Sequence, residues 1–353
     1  MQVVTKLARS LPRREAMQLA SWVLATLGLT GLDTDEATRV AQAVDNPRRV
    51  DGRVVENLAT ALAQFQHLQD RLGTAEVLDT VVALHNVVRH LLTRGVTERL
   101  RRPLSAVDSN VAATIGIYMV DMGNHGAAQR YLQRARIAGH NARSAASAAN
   151  AAANMSFSAF LRGETHTALD SAAAARSLAA RTDDAQLKAR AEQVAAGAYA
   201  LDGQYGPCMA ACARGHEFLD NSNGTTPGSL AYWVHHGSLD SHLSLFLSAA
   251  GKPSEAVEAA SKALAGFDPS YVGYAHCQAR LGNALVLSKE IDEAARVLAD
   301  AATLASQSPS PRLLEEIHTA RTRMQPWQNT PAVKTLDVQL RACGLAPRQG
   351  QVT

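Results

Sequence analysis

The sequence predicts an all-α fold, a solenoid of stacked helical pairs, and three observations support this prediction. A pattern of small residues returns five times between Val107 and Ser306. Successive copies begin 40, 40, 48 and 38 residues apart, a period typical of repeats that each contain two helices. Apolar residues make up 46% of the chain but aromatic residues only 5%, which favours tightly packed helices over a large sheet.

Each copy of the pattern consists of small residues placed around a tight turn. Small side chains let two helices approach closely, whereas a large side chain would hold them apart. We therefore predict helix A, a turn and helix B in each copy, with neighbouring copies stacked because one pair cannot bury its apolar stripe alone. The turns open at Gly123, Gly163, Gly203, Gly251 and Lys289. The small positions are Gly116, Ser156, Ala196, Ser244 and Gly282 before the turns, and Ala128, Ala168, Cys208, Ala256, Ala294, Ala135, Ala175, Gly215, Ala263 and Ala301 after them.

These small, Gly, Ala and Ala positions resemble the tetratricopeptide repeat family over about 200 residues. The large aromatic position of that family is kept at Tyr199 and is occupied elsewhere by Met119, Ala159, Leu247 and Leu285. The resemblance implies a right-handed α-solenoid whose concave face, built from the A helices, binds a peptide or protein segment.

Residues 1–50 are predicted to form an N-terminal docking helix and a linker. An amphipathic helix is expected from about Arg13 to Leu29. A twin-arginine export signal is the alternative, since two arginines precede an apolar stretch. Glu15 follows those arginines directly and no small-x-small cleavage site comes before Asp33, so the docking helix is preferred.

Residues 51–95 are predicted to be an atypical capping pair of helices. Asp51 follows a breaker segment and has the chemistry of a helix start. One helix is expected from about Gly52 to Arg71 and a second, after Gly73, to about Thr93. This pair lacks the small-residue pattern, as expected for the end of a solenoid.

Residues 96–306 are predicted to contain the five repeats. Pro103 is expected to break the first helix near its first turn. The segment 220–228 is rich in Asp, Asn, Gly and Pro and predicts the loop that lengthens one interval. Residues 307–353 are predicted to form a C-terminal helical pair, 311–324 and 330–343, and a tail.

The totals limit the classes of function. A net charge of +3 with 19% charged residues does not indicate nucleic-acid binding. Four cysteines without a disulfide-like framework favour a reducing, cytoplasmic location. No apolar run approaches the roughly 18 residues that span a bilayer, so no membrane partner is expected.

A narrower resemblance rests on Arg49-Val-Asp51 and on the segments 66–73 and 122–132. These resemble the repeat-bearing part of actinobacterial-type regulators of the Xre helix-turn-helix family, in which an Arg-Arg pair joins a DNA-binding domain to the repeats. Only 12 residues precede Arg13-Arg14, and no recognition-helix pattern occurs before residue 50. Direct nucleic-acid binding is therefore not expected, and whether residues 1–50 replace a DNA-binding domain or bind a separate one stays open.

Two groups of residues have metal-ligating side chains. Cys208, Cys212 and His216 lie on one helix face, but both cysteines fall at core positions of the repeat and are predicted to be buried as small apolar residues.

The second group is His235, His236, Asp240 and His242, of which His236 and Asp240 share a helix face. No hydrolase or triad motif accompanies them, and solvated or capping histidines are preferred. We therefore predict no metal, no cofactor and no catalysis, and a metal-dependent enzyme using this region is kept as an alternative.

The candidate binding residues follow from the tetratricopeptide resemblance, which places peptide contacts on helix A beside its small position. Amides suit a bound main chain because they carry donors and acceptors, and Arg190 and Arg280 can pair with a carboxylate. The positions are Asn110, Asn150, Asn154, Phe157, Arg190, Gln193, His242, His276, Arg280 and Asn283.

Taken together, these residues and resemblances imply a regulatory scaffold that binds a peptide or protein in transcriptional or signalling control. One alternative is a DNA-associated regulator that uses the basic segment from Lys6 to Arg14. Another is a structural adaptor between larger proteins. The sequence does not identify the ligand, and it does not decide whether the chain forms a homodimer.

Overall fold

The computed structural model describes residues 34–46, 49–94, 96–222, 224–269, 272–307 and 310–345. These residues form fifteen α-helices and a short 3-10 helix, and no strand occurs among them. The all-α solenoid predicted from the sequence is confirmed.

Three helices open the described chain: α1 (Thr34–Asp45), α2 (Gly52–Leu72) and α3 (Thr74–Thr93). The helices α2 and α3 have the predicted bounds, and the Asp51 side chain accepts a hydrogen bond of 2.9 Å from the Val54 amide, which caps α2. Helix α1 lies in the segment that was expected to be a linker, and it buries Val40 and Val44 in the same core as α2 and α3. The predicted docking helix from Arg13 to Leu29 lies outside the described residues.

Five helical pairs follow, one for each predicted repeat. They are α4 (Glu98–Asp121) and α5 (His125–Ala142), α6 (Ala145–Leu161) and α7 (Thr165–Ala179), α8 (Ala185–Leu201) and α9 (Tyr205–Asp220), α10 (His236–Ala249) and α11 (Pro253–Leu264), and α12 (Val272–Leu287) and α13 (Ile291–Gln307).

The turn within each pair has the conformation that its residue type indicates. Gly123, Gly163, Gly203 and Gly251 have φ between 70° and 74°, in the left-handed region, and Lys289 adopts φ 65° at the equivalent position of the fifth repeat. The small positions around the turns are buried. A Cβ added at Gly116 or Gly282 would lie 2.6 Å from a leucine side chain of the following helix, so larger residues there would force the pair apart.

One local prediction was wrong. Pro103 lies inside α4 instead of breaking it, and the helix begins at Glu98 with Thr97 as its N-cap. Because Pro103 comes early in the helix, it removes only one backbone hydrogen bond near the end, and the buried residues that follow, such as Leu104 and Val107, hold the helix in the core.

The C-terminal pair is α14 (Pro311–Arg323) and α15 (Pro331–Ala342), with the 3-10 helix Gln325–Trp327 in the turn, close to the predicted bounds. Both helices start with a proline after a capping side chain. Ser310 accepts a hydrogen bond from the Leu313 amide and Thr330 accepts one from the Val333 amide.

The two ends of the described solenoid contact each other. Helix α12 contacts α2, and α14 contacts α4. The Tyr232 hydroxyl donates a hydrogen bond of 2.6 Å to Asp70, and Asp121 accepts bonds from Ser310 at 2.9 Å and from Arg312 at 3.1 Å. The A helices therefore curve around a central pocket instead of lining an open groove.

None of the described helices is both long enough and apolar enough to cross a bilayer.

The left-handed turn residues give a test of the repeat register. Lys289→Gly should stabilise the protein by about 0.5–1 kcal/mol, because a left-handed non-glycine residue is strained and this strain exceeds the entropy that glycine adds to the unfolded chain. Gly203→Ala should destabilise it by about 1 kcal/mol for the same reason. Urea unfolding of both variants measures the two changes in the free energy of unfolding. Changes of the same sign in both variants would contradict the shared turn geometry.

Candidate functional site: a central pocket with an unpaired arginine

The inner faces of the A helices enclose a pocket of about 190 Å³. Its wall includes residues of α2, α4, α6, α8, α10, α12 and α14 and of the loop between α9 and α10, so both ends of the solenoid contribute to it. A cavity of about 150 Å³ accepts benzene. The pocket therefore has room for one side chain or the end of a chain, and not for a helix.

Seven of the ten residues predicted from the sequence line this pocket: Asn150, Asn154, Phe157, Arg190, His242, His276 and Arg280. Gln193 lies beside Arg190 and donates a hydrogen bond of 3.0 Å to the Ser238 carbonyl. Asn110 and Asn283 are not part of the pocket wall. Asn283 accepts a hydrogen bond from Arg323 of α14, a contact that the repeat pattern does not predict.

Arg190 is the central charged group of the pocket. It is 3% exposed, and its guanidinium lies between two aromatic rings, 5.3 Å from the centroid of Phe157 and 4.9 Å from that of Trp233. Its hydrogen-bond partner is the neutral Gln193 side chain, and no carboxylate of the described residues forms an ion pair with it. Burial, with the charges of Arg312 and Arg280, lowers its pKa to about 9. Arg190 thus stays charged at neutral pH without an anionic partner.

The other two arginines of the pocket are paired. Arg312 lies 3.1 Å from an oxygen of Asp121 and 3.2 Å from an oxygen of Glu316. Arg280 lies 3.9 Å from Glu316 and donates a hydrogen bond of 2.9 Å to Ser241. The carboxylates of Asp121 and Glu316 therefore pair with Arg312 and Arg280, and neither carboxylate pairs with Arg190.

Neutral polar groups surround the unpaired charge. Asn150 and Asn154 are 8% and 7% exposed, and the side-chain amide of neither makes a hydrogen bond within the described residues. Burial and the charges of Arg280 and Arg190 hold the pKa of His242 well below its usual value, so the ring is neutral. Its Nδ1 donates to the Ser238 carbonyl at 2.9 Å, which leaves Nε2 as an acceptor.

His276 belongs to the ionic part of the wall. Burial, followed by the charge of Arg312, lowers the pKa of His276. The neutral ring accepts from Arg312 at Nε2, 3.2 Å away, and donates from Nδ1 to Glu316 at 3.0 Å. This arrangement fixes Glu316 between His276 and the two arginines.

Several pocket residues were missed in the sequence. Tyr232 and Trp233 come from residues 221–235 between α9 and α10, where helical periodicity gives no orientation. Asp121 and Arg312 reach the pocket because the ends of the solenoid meet, and Glu316 lies behind the wall, against Arg312 and His276. The turn composition at 220–228 indicated an irregular segment, but nothing in it indicated that the segment folds inward.

A second polar cluster connects α9 with α10, outside the pocket wall. His216 Nε2 lies 2.9 Å from an oxygen of Asp240, and His216 Nδ1 lies 2.8 Å from Nδ1 of His236. The Cys212 thiol belongs to the same group and is buried, as predicted, and burial raises its pKa to about 12. The histidines of this region were expected to be solvated or capping. His236 is exposed and His235 is the N-cap of α10, whereas His242 lies in the pocket wall. Asp240 is 4% exposed.

No protein-family model and no curated protein matches the chain. Among solved structures, the chain is similar to a Signal Transduction ATPase with Numerous Domains protein with a tetratricopeptide repeat sensor from Pyrococcus horikoshii. The identity is 11% and the TM-score 0.46, and the match covers 97% of this chain and 51% of that protein. The chain thus spans about half the length of this relative in structure.

The contact between helix α2 and the loop that precedes α10 can be tested at Tyr232. Tyr232→Phe removes the hydrogen bond to the Asp70 carboxylate, and bonds to charged groups contribute about 1.5–3 kcal/mol. Amide hydrogen exchange in residues 229–234 should therefore accelerate, with a local opening free energy lower by about that amount. Tyr205→Phe is the matched control, because Tyr205 is 38% exposed and its hydroxyl makes no such bond. Unchanged exchange in Tyr232→Phe would contradict the contact.

The buried ionic group predicts a pH dependence. His276, Arg280 and Arg312 outweigh the effect of burial and lower the pKa of Glu316 to about 2 from an ordinary value of 4.5. A carboxyl with a lowered pKa in the folded state stabilises the protein above the unfolded pKa, and this stabilisation is lost as the pH falls from about 4.5 towards 2.

Glu316→Gln should therefore be less stable than the wild type at pH 7 and lose less stability on acidification, as measured by urea unfolding at a series of pH values. Glu293→Gln is the control, because Glu293 forms an exposed pair with Arg296 and surface pairs contribute little. Parallel pH profiles for the wild type and Glu316→Gln would show that the pKa of Glu316 is not lowered.

Proposed function

We propose that the chain is a regulatory receptor for a short peptide, whose carboxylate binds Arg190 in the central pocket. The observation that carries this proposal is the unpaired guanidinium of Arg190, which is 3% exposed and part of the pocket wall.

The electrostatics of the pocket favour an anionic ligand. A buried charge without a partner costs several kcal/mol, and an opposite charge in good geometry recovers much of this cost. A carboxylate matches the planar fork of a guanidinium with two parallel hydrogen bonds. Because Phe157 and Trp233 hold the guanidinium on both sides, little side-chain entropy is lost when such a ligand binds.

The remaining wall favours a peptide over a bare inorganic anion. The side-chain amides of Asn150 and Asn154 offer donors and acceptors for a main chain, and Nε2 of His242 offers an acceptor for an N–H group. Phe157 and Trp233 supply apolar surface for a side chain. A volume of about 190 Å³ suits the last residue of a peptide, with preceding residues outside the pocket.

The position of the pocket supports a regulatory role. A ligand in the pocket would contact α6 and α8 in the middle of the solenoid and α12 in its C-terminal part. It would also contact the loop that carries Tyr232, and the Tyr232 hydroxyl bonds to Asp70 of α2. Ligand binding would therefore favour the closed solenoid over an opened one, by the difference in affinity between the two shapes. The resemblance to Xre-family regulators supports placing this switch in transcriptional or signalling control.

The proposal predicts that a free terminal carboxylate is required for binding. In a calorimetric screen of short peptides, each as a free acid and as a C-terminal amide, only free acids should bind. Arg190→Met should weaken the binding by about 10- to 150-fold, which corresponds to the 1.5–3 kcal/mol of a charged hydrogen bond. Arg181→Met, at an exposed arginine outside the pocket, should bind as the wild type does.

A second measurement separates loss of the ligand contact from loss of the fold. Without ligand, Arg190→Met should be at least as stable as the wild type to urea, because the substitution removes an unpaired buried charge and keeps a long apolar side chain. Equal binding of acids and amides would overturn the carboxylate assignment. A strongly destabilised Arg190→Met would show that Arg190 has a structural partner.

A further inference from the structure

We propose that a zinc ion binds between α9 and α10, held by Cys212, His216 and Asp240. This site lies outside the pocket wall and does not depend on the proposed peptide. The sequence placed Cys212 and His216 in one group and Asp240 in another, and the fold brings the three side chains together.

The geometry of the three ligand atoms suits a small cation. The Cys212 sulfur, a ring nitrogen of His216 and a carboxylate oxygen of Asp240 all lie within 4.8 Å of one another. Ligand atoms around a tetrahedral zinc ion lie roughly 3.3–3.7 Å apart, given bond lengths of about 2.0–2.3 Å. His216 Nε2 and Asp240 Oδ1 are 2.9 Å apart, so a small side-chain movement admits the ion.

Two facing helices form the site, and each contributes a pair of residues four positions apart. Cys212 and His216 lie on one face of α9, and His236 and Asp240 lie on one face of α10. Residues four apart lie one helical turn apart on the same face, so each helix presents two side chains to the cluster. The site therefore rests on regular secondary structure and not on a loop.

In one tautomer arrangement, the hydrogen bonds behind His216 orient it as a ligand. Its Nδ1 faces Nδ1 of His236 at 2.8 Å, and Nε2 of His236 lies 3.3 Å from Asp220. If His236 donates to Asp220 and accepts from His216, the lone pair of His216 Nε2 points at the Asp240 carboxylate. Metal-binding histidines commonly have such a partner on the second nitrogen.

A lone pair and a carboxylate oxygen 2.9 Å apart repel each other unless a cation lies between them. A proton on His216 or a metal ion can fill this role. Lys262 lies 3.1 Å from the other oxygen of Asp240 and offsets part of the carboxylate charge, but it does not lie between Asp240 and His216. The adjacent Cys212 sulfur favours the metal, since a proton shared by His216 and Asp240 gains nothing from the thiol.

The donor set selects zinc. A thiolate and an imidazole suit zinc, whereas magnesium and calcium require oxygen ligands. On binding, the sulfur–zinc bond replaces the S–H bond of Cys212, and the proton leaves to solvent without any oxidation or reduction. Three protein ligands leave a fourth position for water, and the ion would link α9 to α10 across residues 221–235, which include Trp233 of the pocket.

Titration with Zn²⁺ and Co²⁺ tests the site directly. The full chain is prepared without a histidine tag, freed of metal with a chelator and titrated, with one equivalent expected to bind. Cobalt should give a thiolate-to-metal charge-transfer band and intense visible bands typical of tetrahedral coordination. Cys212→Ala should lose the charge-transfer band and bind zinc about 100-fold or more weakly, because even outer partners of metal ligands change affinity about 10- to 100-fold.

The chain offers a matched control. Cys208→Ala removes a buried thiol one turn away that lies outside the cluster, and alanine occupies the equivalent position in the other repeats. It should retain the stoichiometry, the affinity and the cobalt spectrum. His236→Gln should weaken zinc binding about 10- to 100-fold and keep the charge-transfer band, as expected for a positioning residue.

Three outcomes would overturn the proposal. The first is no bound equivalent of Zn²⁺ in the wild type. The second is an unchanged cobalt spectrum in Cys212→Ala. The third is an equal loss of zinc affinity in Cys208→Ala and Cys212→Ala while circular dichroism shows that both variants are folded. That result would assign the metal to other groups.

Discussion

The structure depends on the contact between the two ends of the described solenoid. Asp121 at the end of α4 accepts hydrogen bonds from Ser310 and Arg312 at the start of α14, 189 and 191 residues away. Without this contact, the A helices would line an open channel and their polar residues would face water. With it, the same residues surround a pocket of about 190 Å³. The close packing at small positions such as Gly116 and Gly282 keeps each helical pair narrow and supports this curvature.

Closure has an electrostatic consequence that connects the fold with the proposed ligand. Arg190 and Arg280 are buried and Arg312 is partly exposed, and the carboxylates of Asp121 and Glu316 neutralise the two arginines near the closing contact, Arg280 and Arg312. Arg190 is held by aromatic rings and a neutral amide, and no carboxylate of the described residues pairs with its charge. The proposed zinc site and the pocket share one loop. This loop carries Trp233, and it follows Cys212 and His216 and precedes Asp240 in the chain. Binding at either site would therefore order the same segment.

The periodic part of the fold was predictable from the sequence, and closure was not. The positive φ of Gly123 and Lys289 and the burial of the small positions follow from the 40-residue pattern, because each depends on residues close in sequence. Arg190 and Asn154 were found because helix A positions repeat. Tyr232, Glu316 and Arg312 were missed, since their roles depend on partners far away in the chain. Of the proposed zinc ligands, Cys212 and His216 were recognised together and Asp240 separately, for the same reason.

Small-angle scattering of the ligand-free chain tests closure most directly. We predict that the measured curve matches the curve calculated from the closed solenoid. Substitution of both Asp121 by Asn and Tyr232 by Phe should shift the curve towards a larger radius of gyration. A wild-type curve that fits only an extended solenoid would contradict closure, because the pocket wall includes residues from both ends of the described solenoid.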